Sequence, residues 1–263
     1  MQRKRTSLIA AVLCAGGLLA GCAVPEPAPP APEPRPAPAP ALAPRLAERA
    51  QAFRSLRSLA RVSYGVSRER GAFDAAVLVR RPHRLRLEAF SLVGAALIVT
   101  VDDGEVTGFL PSEARYYRGR TSRENLFRAT QILLELDEMV GLLMGLPPVD
   151  FGAKWDKDAQ VLRRARPDGG ADVLTLDPDG ASLAGWRRLG PDGTPEYVAT
   201  FEDYSDTPFG RFPLKITLET PPLQRFYQIR YDKPELNVTL PESHFVQKLP
   251  EGAVRVPLPT PTG

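Results

Sequence analysis

Arg84-Leu85-Arg86-Leu87-Glu88 alternates leucine with charge, and Leu97-Ile98-Val99-Thr100-Val101 follows it as an almost continuous apolar run. A period of two turns every second side chain to one face of a strand, so the first segment reads as a half-buried antiparallel strand. The second runs into Asp102-Asp103-Gly104, a turn sequence, and on toward Phe109, which makes a hairpin. Leu214-Lys215-Ile216-Thr217-Leu218 and Leu236-Asn237-Val238-Thr239-Leu240 repeat the alternation far downstream. Between the early and the downstream strands Pro-Asp-Gly occurs at Pro167, Pro178 and Pro191, spaced 11 and 13 residues apart. Proline presets φ there and glycine accepts a positive φ, so these are turns in a meander of short strands.

Helical patterns flank and interrupt the strands. From Arg45 to about Arg61, Leu46, Phe53, Leu56 and Leu59 recur near one helical face, with Arg54, Arg57 and Arg61 on another. That arginine face is either simply solvated or in contact with anionic lipid head groups. Thr121 and Glu124 form a capping-box pattern, after which Ile132, Leu136, Met139, Val140, Leu143 and Met144 keep helical spacing until Pro147-Pro148. The order helix, strands, helices, strands predicts an α+β, mainly β domain, a curved antiparallel sheet with helices covering one face.

Upstream of this domain the chain has a different character. Arg3, Lys4 and Arg5 precede an apolar stretch from Leu8 to Ala20, too short for a stable membrane span, and Leu19-Ala20-Gly21-Cys22 closes it. The pattern resembles a bacterial lipobox. Residues 1–21 are then a signal peptide, and Cys22 becomes the acylated first residue of the mature chain. Two or more long acyl chains anchor a protein stably where one holds only marginally, so Cys22 would fix the chain on a membrane. Ala23 in the next position points to the outer membrane, with the domain facing the periplasm. From Ala23 to Pro44, ten of 22 residues are proline, a tether able to reach roughly 60–70 Å as extended polyproline II. The folded domain is expected over 45–256, with a tail at 257–263.

Charge and catalytic residues narrow the function. Removing the leader's three cations from the 34 basic residues leaves 31 against 31 acidic, a neutral chain that implies no nucleic-acid partner. Cys14 leaves with the leader and Cys22 is acylated, so no thiol remains for a disulfide, a nucleophile or a metal. His83 and His244 have no nucleophile or ligand cluster beside them in the sequence. Glu135, Asp137 and Glu138, and Glu202, Asp203 and Asp206, read as solvated faces or turns rather than as an acid/base pair. Asp177-Pro178-Asp179-Gly180 lacks the later glutamate of a calcium loop and reads as a turn. Asn237-Val238-Thr239 is a chance glycosylation match. No enzyme, metal or cofactor is expected beyond the covalent lipid on Cys22.

Three features together resemble the lipoprotein carriers and outer-membrane acceptors of the LolA and LolB type. The acceptor is itself a lipoprotein, as Cys22 implies here. Its early strand ends in a loop with an apolar residue before glycine, and Ser91-Leu92-Val93-Gly94 between Arg84-Leu85-Arg86-Leu87 and Leu97-Ile98-Val99 is similar. Its middle helices end in an apolar-Gly-Leu-Pro sequence, like Met144-Gly145-Leu146-Pro147. The likeness spans residues 46–248. It implies an unclosed half β-barrel with a helical lid over an apolar cavity that receives lipoprotein acyl chains for the outer membrane.

On that resemblance Leu97, Val99, Leu136, Met139, Leu143, Met144, Leu214, Ile216 and Leu218 are the candidate walls of an acyl-chain cavity, and Phe90, Leu92 and Val93 a membrane-contact loop. Membrane lipid, lipoprotein acyl chains and a periplasmic carrier of the LolA type are the implied partners. The same apolar residues would equally fill an ordinary core, and Leu92 and Val93 would equally fold back into it. The acceptors typically have Pro-Leu before the glycine, so valine stands here in the register of their protruding leucine. The alternative function is a structural or envelope-assembly lipoprotein that uses the fold as a scaffold.

Overall fold

The computed structural model describes residues 42–147, 154–178 and 182–260. Cys22, the leader and the spacer to residue 41 lie outside the described residues, as do Pro148, Asp179 and Gly180. Helix α1 (Leu42–Ala52) leads into β1 (Ser55–Val66), β2 (Glu69–Arg80), β3 (Arg84–Ser91), β4 (Gly94–Asp102), β5 (Glu105–Leu110) and β6 (Arg115–Arg120). Helices α2 (Arg123–Thr130) and α3 (Leu136–Leu143) follow. The second run of strands is β7 (Asp156–Asp158), β8 (Val161–Ala165), β9 (Ala171–Leu176), β10 (Leu183–Leu189), β11 (Pro195–Ser205), β12 (Phe212–Thr220), β13 (Arg225–Leu236) and β14 (Val254–Pro257).

The fourteen strands of the described residues form one sheet in the order β14-β6-β5-β4-β3-β2-β1-β13-β12-β11-β10-β9-β8-β7. Strands β1 to β13 pair antiparallel, β14 joins β6 in parallel, and the edges β14 and β7 do not meet. The sheet is therefore the curved, unclosed one expected. Its order also dictates where the helices go. β6 lies beside one edge and β7 is the other, so the segment joining them has to traverse the sheet. That crossing segment carries α2 and α3, which lay Leu126, Met139, Leu142, Leu143 and Met144 into one core with Val77, Val79, Leu85, Val99, Val101, Ile216 and Leu218. Burying each such side chain contributes on the order of 1.5–3 kcal/mol.

Along β1, Leu56, Ser58, Ala60 and Val62 face this core while Arg57, Leu59 and Arg61 are exposed on the other face. This corrects the helix expected from Arg45 to Arg61. The helix starts at Leu42, inside the expected tether, and stops at Ala52. Arg81 Nη1 donates to the carbonyls of Ala50 and Phe53. The Asn237 side chain donates to Ala52 O and accepts from Arg54 N, each at 2.8 Å. These groups occupy the helix's last carbonyls, and pairing with β2 and β13 then holds the chain extended.

Three smaller expectations also change. Asn237 has φ +57°, so β13 ends at Leu236 and residues 237–240 are not strand. Ser122, not Thr121, caps α2, its Oγ accepting from Asn125 N at 3.1 Å. The long helical pattern is broken at Gln131, with φ +63°, leaving Ile132 between two helices; α3 restarts on a capping box of Glu135 and Glu138. The hairpin at Asp103-Gly104 and the turns at Pro167 and Pro191 form as expected, with positive φ at Asp103, Gly104, Gly169 and Gly193. The third such turn falls partly outside the described residues.

The chain beyond β13 runs back over the outside of the first half of the sheet. Arg80 and Arg86 donate to the carbonyls of Leu240 and His244, Tyr116 Oη donates to Gln247 O, and Phe245 is buried. Leu258 N donates to Arg118 O and Asn125 to Pro259 O, so part of the expected tail is docked.

Candidate functional site

The apolar residues expected to wall a cavity come from the strands and from α3 itself, and they pack together. Val99, Met139, Leu143, Met144, Ile216 and Leu218 are buried in the single core, with Leu97, Leu136 and Leu214 partly buried at its margin. Leu214 borders a cleft of about 630 Å³ with Phe212, Tyr231 and Leu236. Leu136 borders a shallower one of about 400 Å³.

A larger groove, of about 1370 Å³, opens at one end of the half-barrel. None of those nine residues lines it. Its walls come from five places distant in sequence: α1 and the step into β1, the turn from β2 to β3, the body and end of α3, Phe209 in the turn from β11 to β12, and the segment after β13. Ala50, Phe53, Val140, Leu146, Pro147 and Leu240 give it apolar surface. A site of this size exceeds the roughly 300–1,000 Å³ of most small-molecule pockets.

The end of α3 shows how sequence builds one wall. Gly145 takes φ +64°, Leu146 N donates to Gly141 O at 2.8 Å and Gly145 N to Leu142 O at 3.0 Å. This is a Schellman closure, and it throws Leu146 and Pro147 onto the groove. A Cβ at Gly145 would stand 2.5 Å from Pro213 Cγ, so glycine is required for space as well as for conformation. The apolar-Gly-Leu-Pro motif thus has a local physical purpose.

At the tip of the β3–β4 hairpin, Leu92 and Val93 are fully exposed, at 106 % and 98 %. Phe90, at the end of β3, is half-buried opposite Asp74. The hairpin closes through Ser91 Oγ donating to Gly94 O at 3.0 Å, with Gly94 at φ +119°. The pair therefore projects away from the core.

Polar candidates fall into place differently from expectation in one case. Glu138, read as solvated, is buried, its carboxylate paired with Arg188 and accepting from Glu135 N at 2.9 Å. The helix crossing carries it inward against β10. Asp172, wholly buried, accepts from Arg164 at 2.9 Å and from Arg188 at 3.2 Å. Glu202 and Asp203 pair with Lys215 and Arg230 on the exposed face. His83 pairs with Asp137 at 3.1 Å in a half-exposed position on the groove. Among the described residues, no three His, Cys, Asp or Glu side chains group as a metal site.

Sequence reasoning missed most groove residues, because small and ordinary types such as Ala47, Ala50, Pro82 and Val238 carry no motif. Leu146 and Pro147 were signalled through the helix-ending sequence, and Arg54 as one of the arginines open to anionic lipid, while Phe53, His83, Asp137 and Val140 were read in other roles.

No family model matches the chain, and no curated protein matches it in sequence. Solved structures do match its fold. A DUF1329 family protein from Desulfovibrio piger superposes with a TM-score of 0.55 at 12 % identity, over 80 % of this chain and 97 % of that one. A candidate outer-membrane lipoprotein-sorting protein domain from Vibrio parahaemolyticus gives 0.54 at 12 % identity, over 77 % and 95 %. A LolA superfamily protein from Nitrosomonas europaea gives 0.53 at 11 % identity, over 78 % and 97 %.

Proposed function

The chain has the LolA-like open half-barrel fold, and from that premise we propose that it is an outer-membrane lipoprotein that takes up acyl chains of lipoproteins or lipids and assists their localisation there. Cys22 is the anchor and the proline-rich segment the tether. The observation that carries the reading is the end groove, whose apolar surface lies beside α3 at the open end of the sheet. A triacylated cargo carries some forty methylenes at about 0.8 kcal/mol each, so transfer through water needs a shielded path. Leu92 and Val93 supply the contact with the receiving membrane, each gaining roughly 1.5–3 kcal/mol on burial. A periplasmic carrier of the LolA type is the proposed donor, and no catalysis is involved.

A second reading, an envelope-assembly scaffold, draws on the packing of Val99, Met139, Leu143 and Ile216 in a filled core. Mass spectrometry of solvent extracts from the purified Cys22→Ser chain separates the two. The carrier reading expects co-purifying acyl lipid in near-equimolar amount; the scaffold reading expects none.

A further inference from the structure

The end groove is amphipathic. Arg54 leaves α1 toward β1, and Arg80, Arg81 and His83 come from the end of β2 and its turn. Asp137 is the acid among the lining residues, and it is engaged with His83. Three guanidinium groups therefore rim an apolar floor of Ala50, Phe53, Val140, Leu146 and Leu240. Arg80 shares Glu242, at 3.4 Å, with Arg84. Arg81 donates to the backbone of Ala50 and Phe53 and lies within the field of the Asp137 carboxylate, without an ion pair of its own among the described residues. The Arg54 side chain makes no ion pair among the described residues.

Several cations of the convex face are paired. There Arg57 meets Glu235, Arg61 meets Asp74, Lys215 meets Glu202 and Arg230 meets Asp203. At the groove Arg54 and Arg81 make no ion pair among the described residues, while Arg80 keeps Glu242.

We propose that the groove binds an acyl chain with an anionic head, a carboxylate or a phosphate, with the chain on the apolar floor and the head on Arg54 and Arg81. This names the ligand class within the acyl-binding reading above and rests on it. A neutral chain needs no cation, whereas guanidinium matches carboxylate and phosphate oxygens in planar, two-point geometry. Guanidinium groups at the rim and apolar side chains on the floor sort head from chain.

The test titrates the mature chain carrying Cys22→Ser with three fluorescent probes: a long-chain fatty acid, its methyl ester, and the same chain with a phosphate monoester head. Both anionic probes are expected to bind at least about tenfold more tightly than the ester, in keeping with charged hydrogen bonds. Arg54→Gln, an exposed change checked by its melting curve, is expected to cut that preference to about threefold or less. A preference for only one anionic head identifies the head and upholds the class. Equal binding of acid, phosphate and ester overturns the head assignment while leaving acyl binding intact. An anionic preference untouched in Arg54→Gln and in Arg81→Gln overturns the site. Failure of every probe to bind overturns the head assignment together with the acyl-binding reading.

Discussion

Glu138 of α3 and Arg188 of β10 form an ion pair inside the core, and Arg188 reaches on to the buried Asp172 of β9 at 3.2 Å. Tyr197 Oη lies 3.4 Å from Glu138, and the Arg188 guanidinium sits over the rings of Trp186 and Tyr197. The helix is thereby tied to the second half of the sheet by charge as well as by its apolar face. Removing one partner leaves a buried charge uncompensated, at a cost of about 3–5 kcal/mol. Arg188→Met should lower stability by that amount in urea unfolding. Glu138→Leu combined with Arg188→Met should recover at least half of it, because Glu138 and Arg188 then go together and the remaining buried Asp172 keeps Arg164 at 2.9 Å. Additive losses in the double variant would show that the pair is not coupled.

Arg49 of α1 presents the opposite case. It is 9 % exposed, and none of its three guanidinium nitrogens makes a hydrogen bond. It lies 5.3 Å from the ring centres of both Phe53 and Tyr204. A buried donor without an acceptor costs roughly 1–3 kcal/mol, which ring contacts of about 0.5–2 kcal/mol offset only in part. Arg49→Met keeps the apolar stem and should raise the melting temperature by about 2–4 °C, near 1 kcal/mol for a domain of this size. A fall in melting temperature would mean that the ring contacts outweigh the desolvation.

Burial pushes the hydroxyls of Tyr197, Tyr231, Tyr204 and Tyr227 upward from their ordinary value of 10.0. A raised value in the folded state means that the unfolded chain loses these protons first. Their contribution is complete below pH 10 and is lost as the pH climbs beyond it, at about 1.4 kcal/mol per pH unit for each buried tyrosine. Unfolding free energy measured between pH 9 and 11.5 should fall with that sign. Tyr231→Phe should flatten the slope, even though it also removes the 2.8 Å bond to Leu143 O and lowers stability at neutral pH. A slope unchanged in Tyr231→Phe would remove this tyrosine from the alkaline transition.

The hairpin tip offers a functional variant with little structural cost. Leu92→Glu with Val93→Glu places charges on side chains that touch no core. Melting should shift by less than about 0.5 kcal/mol, as for surface substitutions generally, while delivery of a bound lipoprotein to liposomes stops. Undiminished delivery would remove the tip from the mechanism.

The strands of the sheet were legible wherever large residues kept the alternation, as from Arg84 to Glu88 and from Leu214 to Leu218. β1 was not. Its inward positions include Ser58 and Ala60, small residues whose weak apolar signal hid the period of two. The outward Leu59 meanwhile completed a false helical face with Phe53 and Leu56. The end groove was illegible for another reason: Phe53, Pro82, Leu146 and Leu240 meet only through the crossing of the sheet by α2 and α3 and the return of the chain after β13. Glu138 looked like one of three surface acids because its partner Arg188 lies 50 residues away on strand β10.

Occupancy of the end groove by an acyl chain is tested most directly by photo-crosslinking. A fatty acid bearing a diazirine in mid-chain is bound to the Cys22→Ser chain, irradiated, and the labelled peptides are mapped by mass spectrometry. The account predicts label on residues 47–55 and 140–147, competed away by unlabelled fatty acid. Label that is absent, or confined to the exposed hairpin at residues 91–94 in a protein whose melting curve shows it folded, would contradict it.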